Sequence, residues 1–113
     1  MMAASSGQTT WWCSLSHDQR QGFCDDNAPD CRSSRLGLMS QAPEFGLSEC
    51  TAAATAACFH YVDQAGGQAR DVRTCYPTMT VCKATRYGLY HLTRGRQHPR
   101  GECVIVDAGA AQR

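Results

Sequence analysis

One cysteine pattern occurs twice in this chain. The first copy is Cys24, six residues, Cys31, a basic residue, two small residues and Arg35. The second is Cys75, six residues, Cys82, Lys83, two small residues and Arg86. Each copy has one more cysteine before it and one after: Cys13 and Cys50 for the first, Cys58 and Cys103 for the second. The eight cysteines thus fall into two sets of four in the same order. Recurrence of this kind predicts a repeated structural unit. Each unit has only about 40 to 50 residues, a size at which an apolar core rarely suffices and cross-links, a metal or a partner must help.

An even number of cysteines in matched sets predicts a disulfide framework, and with it an oxidising compartment. Zinc is the rival. Its structural sites use cysteine pairs two to four residues apart, whereas the closest cysteines here are seven positions apart and the only close Cys/His pair is Cys58 with His60. Thiol redox catalysis commonly uses Cys-x-x-Cys, which does not occur. No cofactor or metal is therefore expected. Residues 1–10 read as a flexible polar lead without the basic and apolar regions of an export signal. The expectation is a signal already removed, and a secreted, periplasmic or cell-surface location. No stretch reaches transmembrane length.

Taken in order, Trp11 to Leu15 reads as a strand and residues 16–22 as the polar connection to a returning strand at Phe23 and Cys24. Asn27 is a helix N-cap, with Pro29 in the first turn and Asp30 three residues after the cap. The helix is predicted over residues 28–39, ended by Pro43 and Gly46. The Ala-rich stretch 51–57 suits a helix by propensity, but Ala56, Ala57 and Cys58 align with Trp11, Trp12 and Cys13, which favours a strand near its end. Gly66 and Gly67 form a hairpin turn signal. A turn there sets Asp63 opposite Arg70, Tyr61 opposite Val72, Phe59 opposite Thr74 and Cys58 opposite Cys75. Charge and aromatic complementarity across the strands support this register. The equivalent hairpin in the first copy sets Cys13 opposite Cys24. Thr78 caps a second helix over residues 79–92, stopped by Gly95 and Pro99, and residues 102–107 read as a last strand.

The fold class that follows is α+β: two tandem ββα repeats, residues 11–50 and 56–106, forming one antiparallel sheet of four to five strands with two helices packed on it. They make a single domain over residues 11–107, with residues 108–113 as a tail. Helices folding back over their hairpins favour bonds Cys13–Cys31, Cys24–Cys50, Cys58–Cys82 and Cys75–Cys103. Each set of four allows three pairings, and spacing leaves open Cys24–Cys31 and the cross-strand bonds Cys13–Cys24 and Cys58–Cys75.

Catalytic chemistry finds little purchase. His17 beside Asp18 lies in a loop, His60 falls on the second face of its hairpin, and His91 and His98 flank a basic tract. No nucleophile, base and orienting carboxylate assemble from sequence, so the expectation is not an enzyme. Candidate binding residues are of two kinds. Trp11 and Trp12 point to opposite faces of a strand; either both are buried or one meets a protein or sugar ligand. Lys83, Arg86, Arg94, Arg96 and Arg100 form a tract with no acid between them. Residues 1–65 carry seven acids against three arginines, and residues 66–113 carry eight bases against three acids. A solvated surface is the ordinary reading of such a tract; a contact for nucleic acid or acidic polysaccharide is the functional one. Arg35 and Arg86 share a repeat position, which points to a shared structural role.

The pattern of Trp11, Trp12, the eight cysteines, Phe59, Arg35 and Arg86 resembles a group of small bacterial exported cysteine-rich tandem-repeat proteins of unassigned function. It spans about residues 11–103. The resemblance implies export and supplies no catalytic residues; the paired cysteine sets and the absence of a catalytic constellation point to an exported, disulfide-stabilised, non-catalytic binding or structural module with a protein or cell-surface partner. The alternatives are a polyanion-binding module using the basic tract and a small enzyme inhibitor presenting residues 16–22 or 41–48. Partner identity, pathway and oligomeric state are not legible in the sequence.

Overall fold

Two hairpins, each followed by a helix and a further strand, build the molecule. The computed structural model describes residues 10–93 and 97–108. Strand β1 (Trp11–Leu15) and β2 (Gly22–Asp25) form the first hairpin. Helix α1 (Ala28–Gln41) and a short strand β3 (Thr51–Ala53) follow. Then come β4 (Thr55–Asp63), β5 (Arg70–Tyr76), helix α2 (Met79–Leu92) and β6 (Gln97–Asp107). All six strands join one antiparallel sheet in the order β3-β1-β2-β5-β4-β6. The sheet has six strands and not the four to five predicted, because residues 51–53 pair with β1 as an extra strand; β6 is also longer than predicted and begins at Gln97 rather than at residue 102.

Both helix starts follow their sequence signals. The Asn27 side chain accepts from the Asp30 amide at 2.8 Å, an N-cap bond, and its amide donates to the Asp30 carboxylate at 2.9 Å; this side-chain pair stands where a capping box would have Asp30 accept from the Asn27 backbone N–H. Thr78 accepts from the Val81 amide at 3.0 Å. The β4–β5 register is the predicted one, with Cys58 opposite Cys75 and Asp63 opposite Arg70. The connection is longer than a two-residue turn: pairing stops at Asp63 and Arg70, and Gly66 (φ 83°) and Gly67 (φ 85°) carry the left-handed backbone between them.

The sheet is rolled. In a flat sheet of this order β3 and β4 would lie four strand spacings, about 19 Å, apart. Ala54 alone joins them, and two Cα steps span at most about 7 Å. The two sides of the sheet must therefore curl together at that end. They do: the Trp11 indole donates to the Val106 carbonyl at 3.1 Å, and the Ala108 amide donates to the Ala54 carbonyl at 2.9 Å. Small side chains at Ala53, Ala54, Ala56 and Ala57 leave room for the bend.

The inner face of the roll holds one core: Trp11, Cys13, Cys24, Ala56, Cys58, Cys75 and Ala108. The outer face carries the helices. Helix α1 packs on β1 and β2, and α2 on β4, β5 and β6. Under α2 lies a second core of Ala57, Phe59 and Cys82, with Tyr61, Tyr76, Met79, Leu89 and Cys103 packed against it. Phe59 stacks on Tyr76 at 6.0 Å.

Four disulfides form: Cys13–Cys24, Cys31–Cys50, Cys58–Cys75 and Cys82–Cys103. The favoured pairing Cys13–Cys31, Cys24–Cys50, Cys58–Cys82 and Cys75–Cys103 is not made. The reason is side-chain parity. Cys13 and Cys24 point into the roll from directly opposed positions, whereas Cys31 projects from a helix on the other side of the sheet. The sheet itself stands between Cys13 and Cys31. Each strand cysteine therefore bonds across its hairpin, and each helix cysteine bonds to the chain that leads to or forms the following strand.

Candidate binding surface

The two helices form one outer layer, and its solvent side is unusually apolar in places. Leu36 is 65% exposed, Tyr87 69% and Leu92 85%. Exposed apolar side chains of this size mark a contact surface where they form a contiguous patch. A groove of about 420 Å³ lies beside α2, lined by Ala84, Gly88, Leu89 and Leu92 and closed by Arg20 and Gln21 of the β1–β2 connection. A second, of about 410 Å³, lies between α1 and the central strands, lined by Phe23, Asp25, Ser34, Leu38 and Thr74.

Asp25 is drawn into this layer. Burial pushes its carboxyl above the ordinary value, opposed by a hydrogen bond from Ser34 and reinforced by Asp30 and Asp26. Its Oδ2 is buried without a hydrogen-bond partner. Burial likewise raises the Tyr76 phenol, whose oxygen accepts from the Thr74 hydroxyl at 3.0 Å.

The sequence-derived candidates separate. Trp11 is 2% exposed and fills the roll, with the Arg73 guanidinium 5.3 Å from its ring centre. Trp12 is half-buried and stands opposite Asp25. The basic tract does not form one patch among the described residues. Lys83 is exposed on α2. Arg86 instead reaches inward, donating to the Gly101 carbonyl at 2.8 Å with Glu102 at 3.9 Å. Arg100 sits 3.4 Å from Asp71, which also faces His60 at 3.8 Å on the inner side of the sheet. Arg94 and Arg96 lie outside the described residues, as do Gly95 and most of the predicted lead and tail.

Arg35 and Arg86 do share a structural job. Arg35 Nε donates to the Ser48 carbonyl at 2.7 Å, and its Nη2 donates to the Leu47 carbonyl at 3.1 Å. Ser48 precedes Cys50 by two positions, as Gly101 precedes Cys103. Each arginine thus ties its helix to the backbone just ahead of the cysteine that the same helix bonds.

His17 is exposed in the β1–β2 connection, and His91 packs its ring 4.3 Å from Tyr87 on α2. Among the described residues no group of three His, Cys, Asp or Glu side chains is placed to hold a metal ion. No described helix is long and apolar enough to cross a membrane.

The loops considered for an inhibitor lie against each other. The His17 amide donates to the Gly46 carbonyl at 3.1 Å, and the Ser48 amide to the Leu15 carbonyl at 2.9 Å. Within residues 16–21, the Ser16 hydroxyl and the Arg20 amide donate to Asp18, which holds its carboxyl below the ordinary value.

The exposed apolar residues and Asp25 were not singled out from sequence. Alternation along β2 places Asp25 on the side opposite Cys24, and that was the available signal. No known protein family, curated protein or solved structure matches the chain.

Proposed function

We propose that this chain is an exported, non-catalytic binding module, built from two copies of one β-β-α-β unit, that meets a protein or cell-surface partner through its helix layer. The observation that carries the reading is the engagement of all eight cysteines in four disulfides. Such a framework persists in oxidising compartments and is reduced in the cytosol. It suits a small scaffold that must stay folded without a large core. Exposed Leu36, Tyr87 and Leu92 supply the contact surface, since apolar and aromatic side chains dominate the centres of protein interfaces. Matching Cys, Arg and cap positions support the repeated unit.

Production through an oxidising export route should give folded protein with no free thiol. The same chain kept reduced should lack dispersed amide and methyl resonances. A reduced chain that folds equally well would contradict the proposal. The polyanion reading has less support, because Arg86 and Arg100 face Glu102 and Asp71. Its signature is an affinity for heparin or DNA that falls steeply with salt.

A further inference from the structure

Four of the cysteines stand in a single row across four adjacent strands. Cys13 is opposite Cys24 in the β1–β2 pair, Cys24 is opposite Cys75 in the β2–β5 pair, and Cys75 is opposite Cys58 in the β5–β4 pair. All four point to the inner face of the roll. Two disulfides use the outer gaps of the row and leave the middle gap, between the two halves of the molecule, unbonded.

That middle gap is bridgeable. The Cα–Cα distance of 4.1 Å in both outer pairs is that of a non-hydrogen-bonded antiparallel pair. The backbone polar groups of Cys24 then point away from β1 and toward β5, and those of Cys75 point away from β4 and toward β2. Cys24 and Cys75 are therefore a hydrogen-bonded pair, for which Cα–Cα is about 5.5 Å. This lies within the range that a disulfide spans. All four cysteines are buried, Cys24 the least so at 7% exposed.

We propose that the row is a disulfide relay: reduction of Cys13–Cys24 moves a disulfide to Cys24–Cys75 and cross-links the two halves of the sheet. The inference rests on the disulfide framework of the preceding section. A dithiol reductant transfers two electrons and two protons to Cys13–Cys24, becomes a disulfide itself, and leaves thiols on both residues. The Cys24 thiolate then attacks the Cys75 sulfur. The Cys24–Cys75 bond forms, the Cys58–Cys75 bond breaks, and Cys58 leaves as thiolate and takes a proton. The product has free thiols at Cys13 and Cys58, three disulfides, and the chain's two halves covalently joined through the centre of the sheet. Attack within such a row is fast relative to attack by an external thiol, because the nucleophile is already held next to the bond.

The test is limited reduction of the native protein with dithiothreitol, acid quenching, alkylation and peptide mapping. Among molecules that have lost one disulfide and retain Cys31–Cys50 and Cys82–Cys103, the alkyl groups should fall on Cys13 and Cys58, with Cys24 linked to Cys75. Labels on Cys13 and Cys24 together, or on Cys58 and Cys75 together, would overturn the relay while leaving the exported-scaffold reading in place. The Cys13→Ser and Cys58→Ser variants read the same point without reductant. Cys13→Ser should carry its free thiol on Cys58, and Cys58→Ser on Cys13. A free thiol that stays on Cys24 or Cys75 would refute the relay. Wild-type protein that shows no mass gain on full reduction would sink both this inference and the function it rests on.

Discussion

At the scale of single residues, two side chains make opposite contributions. Arg35 satisfies backbone carbonyls that no strand pairs, and it does so with a planar fork that lysine lacks. Its Nε and Nη2 donate to Ser48 and Leu47, and hydrogen bonds to a charged group contribute roughly 1.5 to 3 kcal/mol when partly buried. Because the guanidinium is half-buried, the lower end applies: Arg35→Ala should lose about 1.5 kcal/mol in urea unfolding, with Arg35→Lys recovering little. An alanine variant as stable as the parent would remove the arginine from the account of the fold. Asp25 works the other way. Its carboxyl is raised by burial, so the folded state holds the proton more tightly than the unfolded chain does. The ionised form therefore costs stability above the raised pKa, and that cost disappears as pH falls through it. Asp25→Asn should raise the Tm at pH 7, with the gain shrinking as the pH drops into the carboxylate range. A gain that grows toward acid pH would reverse the assignment.

At the scale of elements, glycines separate two kinds of constraint. Gly22 opens β2, and a Cβ there would stand 2.7 Å from the Ser14 carbonyl oxygen and 2.9 Å from Pro77 Cγ. Gly101 bulges β6 between its pairings with His60 and Cys58, at φ 72°, with open space around a Cβ. Gly101→Ala should cost only the left-handed backbone, about 1 kcal/mol. Gly22→Ala must move backbone as well and should lower Tm by distinctly more; equal losses would mean that the β1–β2 start yields freely. The elements also show what a sequence reveals and what it hides. The register of both hairpins was legible, because Asp63 with Arg70 and Tyr61 with Val72 satisfy cross-strand rules locally. Both helix starts were legible because Asn27 and Thr78 carry their own capping chemistry. The strand at Gln97 was hidden, since Gly95 and Pro99 read as helix stops and the last strand reads only from residue 102.

At the scale of the whole molecule, one joint determines the rest. Ala54 links strands that lie far apart in the sheet order, and that link forces the roll. Nothing local in the Ala-rich stretch announces it. Once the sheet rolls, its inner face becomes a core that needs no helix, which is why Trp11 is sealed there and does not form an exposed aromatic contact. The same division of faces decides the cysteines. Spacing alone permitted each strand cysteine to meet a helix cysteine, but the sheet separates them: Cys13, Cys24, Cys58 and Cys75 look inward, and Cys31 and Cys82 lie beneath the helices. Each bond of these loop lengths contributes on the order of 2 to 4 kcal/mol, comparable in sum with the entire stability of a small domain. The layered arrangement and its pairing therefore stand or fall together. The most direct measurement is disulfide mapping by tandem mass spectrometry on protein purified without thiols, cleaved at Asp25 and Asp26 to separate Cys24 from Cys31 and at Met79 to separate Cys75 from Cys82. The account predicts Cys13 joined to Cys24, Cys31 to Cys50, Cys58 to Cys75 and Cys82 to Cys103. Fragments joining Cys13 to Cys31, or Cys58 to Cys82, would contradict it, because no sheet that separates those residues could hold such a bond.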